Sequence, residues 1–95
     1  MVNTKQAQND LIELYKDRIY TKNNYYINLK IVREIAHIAG LVRPNIIRDS
    51  FGSIRVNGYI YHDYGSPEHE IINLHEFCLR VKIRLNNQLQ INNKQ

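Results

Sequence analysis

The stretch 29-LKIVREIAHIAGLVRPNIIRDSF-51 decides how the chain folds. Its first half carries Val32, Ile35, Ala36 and Ala39 at the spacing of an amphipathic helix. Asn28 precedes it as a side-chain N-cap, and Gly40 stands where helices commonly end on a left-handed residue. Leu41 and Val42 then fill a tight turn. Pro44 suits the first position of a further helix, where its missing N–H costs nothing. A short second helix is therefore expected from about Pro44 to Ser50, ended by Gly52.

Upstream, Leu11, Ile12, Leu14, Tyr15 and Ile19 give helical periodicity from Gln6 to about Tyr20, and Asp10 with Glu13 marks a competing later start. Residues 21–24 form a polar breaker, and Tyr25-Tyr26-Ile27 reads as a short strand or a packed loop. Downstream, 53-SIRVNGYIYHD-63 contains Asn57-Gly58, a strong signal for a two-residue type I′ hairpin. Pairing across that turn sets Val56 opposite Tyr59, Arg55 opposite Ile60 and Ile54 opposite Tyr61. Ile54, Val56, Tyr59 and Tyr61 then face the core, while Ser53, Arg55, Ile60 and His62 face outward.

Gly65-Ser66-Pro67-Glu68 has the cap, the proline and the first-turn acid of a helix start, and the helix is expected to run over about 67–88. A competing start at Asn73, with Glu76 three residues on, would leave Glu70 to Asn73 as a strand; the longer helix is favoured. This helix bears two apolar rows. One holds Ile71, Leu74, Cys78, Val81 and Leu85, the other Ile72, Leu79 and Ile83. One row can cover the core and the other is left for a partner, which points to a homodimer. The dimer interface is placed on Ile71, Leu74, Cys78, Val81 and Leu85, with the choice of face open.

Bulk properties narrow the class. Ninety-five residues make one domain with a modest core. No apolar run is long enough to span a bilayer, the N-terminus lacks a signal peptide's apolar segment, and a cytoplasmic protein is the simplest expectation. The formal charge of +4 favours a polyanionic partner and argues against an acidic mimic of one. A single cysteine excludes an intrachain disulfide. His62, Asp63, His69, Glu70, His75, Glu76 and Cys78 lie close in sequence, yet no His pair falls at i, i+4 and no HExxH or CxxC occurs. Neither a metal, another cofactor nor an enzyme is expected. Tyr59 and Tyr61 fit a hairpin core better than a stacking platform for bases.

Val32 to Phe51 resembles the helix-turn-helix element of bacterial and phage DNA-binding proteins, through Ile35, Ala36, Gly40, Leu41 and Ile46. With the hairpin following, the arrangement resembles a winged helix. The resemblance implies a mainly α fold with a small β-hairpin: a winged helix-turn-helix with a long C-terminal helix. The motif occupies about 29–51 and the wing about 53–63. Val42 stands where a capping Ser or Thr is common, and Asp49 where an apolar anchor is usual. Residues Leu29 to Gly58 carry five cations against Glu34 and Asp49, a net +3. Arg43, Asn45 and Arg48 are expected to contact bases or the groove, and Lys30, Arg33, Arg55 and Asn57 to contact phosphates. The implied function is double-stranded DNA binding as a homodimer, as a transcriptional repressor or a replication, partition or excision factor of a phage or plasmid. The alternative is a protein-interaction module, such as an inhibitor of a host enzyme. Replacing Arg43 and Arg48 together by Ala is expected to abolish binding to the cognate duplex in a shift assay while sparing the fold.

Overall fold

The computed structural model of the chain describes residues 4–21, 26–63 and 65–93. It is a mixed α/β structure of three helices and a small antiparallel sheet of three strands. The order is α1 (Thr4–Tyr15), α2 (Leu29–Ile38), β1 (Ile46–Arg48), β2 (Ile54–Val56), β3 (Tyr59–Tyr61) and α3 (Pro67–Asn93).

Helix α1 begins ahead of Asp10, so the later start is corrected, and it stops at Tyr15 rather than Tyr20. The reason lies in Ile19, which is fully buried. Its carbonyl accepts from the Asn28 amide at 2.7 Å, and Tyr20 bridges to Ile27. A continued helix would forbid that pairing. Of the expected Tyr25–Ile27 strand or loop, residue 25 lies outside the described residues, as do residues 22–24 of the polar breaker.

Helix α2 forms as its residues dictate. The Asn28 side chain accepts from the Lys30 amide at 3.0 Å. Ile31, Val32, Ile35 and Ala36 turn inward. At the far end the Gly40 amide donates to the His37 carbonyl and the Leu41 amide to that of Ala36, the paired bonds of a Schellman ending. Gly40 takes φ +102°, and the Lys82 side chain from α3 lies directly over it.

The expected helix over Pro44–Ser50 is absent; β1 occupies its place. Three local facts favour the strand. Arg43 sits at φ +49°, which turns the chain away from any helical continuation. Ile46 and Ile47 are β-branched and alternate buried, exposed. Asp49 is a turn residue: its Oδ1 accepts from the Phe51 and Ser53 amides, and Gly52 at φ +83° closes the loop into β2. The polar side chain that fits a recognition helix badly fits a β-turn well.

The β2–β3 hairpin has the expected register, Val56 with Tyr59, Arg55 with Ile60 and Ile54 with Tyr61. Asn57 and Gly58 both have positive φ, as a type I′ turn requires. Strand β1 adds Ile46, Ile47 and Arg48 opposite Val56, Arg55 and Ile54. Ile46, Ile54, Val56 and Tyr61 thus face the core, and Ile47, Arg55 and Ile60 form one outward row across the sheet.

Helix α3 starts at Pro67, which overturns the alternative start at Asn73, and extends to Asn93, past the expected end. Its row Ile71, Leu74, Cys78 and Val81 is at most 2% exposed and lies in one core with residues of α1, α2 and the sheet. The dimer interface placed on that row is corrected accordingly: these side chains, with the partly buried Leu85, fill the chain's own interior. Cys78 is a buried free thiol whose pKa burial pushes up to about 12, so it is inert at neutral pH.

Among the described residues one carboxyl group lies in this core. Glu70 is fully buried. Its carboxylate accepts from the hydroxyls of Tyr61 and Tyr20, the latter at 3.3 Å, and from the Gly65 amide at 3.2 Å. A carboxylate out of water is tolerable only with such donors. Burial and then Glu70 raise the Tyr20 phenol from 10.0 to about 12, and raise Tyr61 by the same causes. Replacing Glu70 by Ala should cost about 3 kcal/mol in denaturant unfolding, because one buried and one partly buried hydroxyl lose their carboxylate acceptor. Both phenols hold protons more tightly folded than unfolded. The contribution of these two phenols to stability should therefore be constant below pH 10 and fall as the pH rises from 10 toward 12, a loss that Tyr20→Phe should reduce.

Candidate nucleic-acid interface

The seven residues expected to meet DNA fall into two groups. Lys30 and Arg33 project from the exposed face of α2, and Arg43 from the turn that follows it. None of these three forms an ion pair among the described residues. They are free to meet an external anion.

Arg48, Arg55 and Asn57 are engaged in the fold through their side chains, and Asn45 through its backbone, its side chain being exposed. Arg48 donates to the Gly52 carbonyl at 2.8 Å and to the Ile27 carbonyl at 3.0 Å, and its guanidinium lies 5.2 Å over the Tyr26 ring. It ties the β1–β2 loop to the segment that enters α2. Arg55 pairs with Asp49 at 3.0 Å and donates to the Gly58 carbonyl at 3.2 Å. The Ser53 amide foremost, then Arg55, holds the Asp49 carboxyl below the usual carboxylate range. The Asn57 side chain accepts from the Asn45 amide at 2.7 Å, locking the hairpin tip against β1. That tip borders a hollow of about 260 Å³ shared with Val42 and, on α3, Lys82, Leu85 and Leu89. The hairpin tip is thus backed by α3.

The outer face of the sheet is partly apolar. Ile47 and Ile60 flank Arg55, and Phe51 at the β1–β2 turn is 91% exposed. With Val42, 84% exposed beside Arg43, these are the most prominent apolar groups near the free cations.

A second basic region escapes a reading centred on residues 29–51. From Phe77 to Asn93 the chain has Arg80, Lys82 and Arg84 and no acid, again a net +3. Arg80 and Arg84 line a cleft of about 330 Å³ between α3 and β3, together with Tyr59, His62, Asn73 and Phe77. Arg84 lies 5.3 Å over the Tyr59 ring, whose hydroxyl accepts from Gln88 at 3.2 Å. The spacing 73, 77, 80, 84, 88 on one helix face was the available signal. It could not show that β3 closes the other side. Among the described residues no three His, Cys, Asp or Glu side chains gather to hold a metal ion, and no helix is long and apolar enough to cross a membrane.

Compared with protein-family models, curated proteins and solved structures, the chain matches none.

The engagement of Arg48 overturns the expectation that replacing Arg43 and Arg48 together spares the fold. Arg48→Ala alone should lower stability by about 1–3 kcal/mol, since two carbonyls lose a charged donor. Arg43→Gly should not lower it, because glycine accepts positive φ freely. Chemical denaturation of the two variants separates these outcomes.

Proposed function

We propose that the chain binds double-stranded DNA. The observation that carries this reading is the set Lys30, Arg33 and Arg43, exposed cations that form no ion pair among the described residues, in a region where Asp49 is neutralised by Arg55 and Glu34 approaches Arg18 at 3.8 Å. A surface of uncompensated Lys and Arg attracts phosphates and releases their counterions. In a winged helix-turn-helix reading, α2 and the β2–β3 hairpin supply the support helix and the wing, while β1 stands where the reading helix was expected. Base contact would then come from Arg43, the exposed Asn45 side chain and the outer face of the sheet. The major groove admits a β-ribbon as well as a helix. A homodimer would use the remaining α3 row, Ile72, Leu79 and the exposed Ile83, and would set two copies about 34 Å apart on a repeated site. Regulation of transcription, replication or excision on a phage or plasmid is the biological setting this reading suits.

The second reading is a module that binds another protein, and the exposed Phe51, Ile47 and Ile60 favour it. Salt separates the two. Duplex affinity should fall steeply with ionic strength, and the Lys30→Ala, Arg33→Ala, Arg43→Ala triple variant should flatten the log–log slope by about 2–3. An unchanged slope, or binding indifferent to salt, refutes the DNA reading.

A further inference from the structure

We propose that the cleft between β3 and α3 binds a nucleotide unit, its phosphate on Arg80 and Arg84 and its base against Tyr59. The site is separate from the cations Lys30, Arg33 and Arg43, and the inference does not rest on duplex binding. Its volume of about 330 Å³ lies within the range of small-molecule sites.

The chemistry of its walls selects the ligand. Arg80 and Arg84 lie one helical turn apart on the same face of α3, and neither has an ion pair among the described residues. Two such forks suit a phosphate, which accepts several N–H bonds at once. The opposite wall is aromatic. Tyr59 is half-buried, held by the Gln88 bond and covered on one face by the Arg84 guanidinium, so a flat stacking element already exists. A guanidinium plane and a phenol ring both stack on bases. Phe77 packs edge-on against Tyr61, with centroids 5.4 Å apart, and adds an apolar ring to the lining. Asn73 and His62 add an amide and an imidazole to the lining, groups that can donate to and accept from a base edge. An inorganic anion would leave the aromatic wall unused, and an apolar ligand would bury two unpaired guanidiniums. A planar base joined to a phosphate satisfies both walls.

The nucleotide could be free or part of a single strand, and the test distinguishes the two. The full chain is titrated with AMP, adenosine, inorganic phosphate and a short oligo(dA), following the Asn73 side-chain amide and the Arg80 and Arg84 Nε–H signals by NMR. AMP should shift these signals, with adenosine and phosphate alone each at least about tenfold weaker, as loss of charge-assisted hydrogen bonds or of stacking implies. Arg80→Gln and Arg84→Gln, at exposed positions that spare the core, should each weaken AMP by about tenfold. Lys30→Ala with Arg33→Ala should leave AMP unchanged while weakening duplex DNA. Tighter binding of oligo(dA) than AMP at the same signals assigns a strand; equal or weaker binding assigns the free nucleotide. If neither AMP nor oligo(dA) moves these signals, or if both arginine variants bind AMP as the parent does, the proposal is wrong.

Discussion

A carboxylate removed from water must be met by donors, and Glu70 imposes that demand at the start of α3. Among the described residues the groups that answer it include Tyr20 after α1, Tyr61 on β3 and the Gly65 amide ahead of the helix. Satisfying one buried charge therefore brings the N-terminal segment, the last strand and the beginning of α3 together. From that anchored end, the row Ile71, Leu74, Cys78 and Val81 runs down the core as the surface shared by the other elements. The apolar row gives the other elements a common surface to bury against, while the Glu70 network specifies how the pieces meet. Apolar contact alone would tolerate sliding; directed hydrogen bonds do not.

The same demand for paired polar groups explains the divided basic surface. Arg48 and Arg55 have acceptors supplied by the chain, in the Gly52, Ile27 and Gly58 carbonyls and the Asp49 carboxylate, and they brace the sheet. Lys30, Arg33, Arg43, Arg80 and Arg84 form no ion pair among the described residues and remain in solvent. A count of charges treats all of these alike. Their separation into bracing and free cations follows from which backbone carbonyls lie within reach, and that depends on loops closing in three dimensions.

Residues 44–50 show how two local readings compete. Pro44 followed by Asn45 and two isoleucines suits the start of a helix, and the preceding Gly40 ending makes a second helix the natural continuation. The segment also contains two β-branched residues, and after Arg48 the chain runs on as Asp49, Ser50, Phe51 and Gly52, the pattern of a short hairpin turn. Over seven residues neither intrinsic preference is large. Strand β2 decides between them, because it is already half of a well-specified hairpin and presents an open edge. Pairing there satisfies the backbone groups of β1 and buries Ile46 against the core. Asp49, awkward in the helical reading, was the residue that carried the signal.

The sequence by itself determined α2 with its Asn28 cap and Gly40 ending, the Asn57-Gly58 register and the helix beginning at Pro67. Each rests on interactions spanning a few residues, written in the local order of side chains. Tertiary structure decided the early end of α1, the strand at β1, the burial of Glu70, the inward choice of the α3 row and the cleft facing Tyr59. These depend on partners distant along the chain, whose proximity exists only once the core has closed. Where two local preferences nearly balance, the free energy of that closure is larger than either.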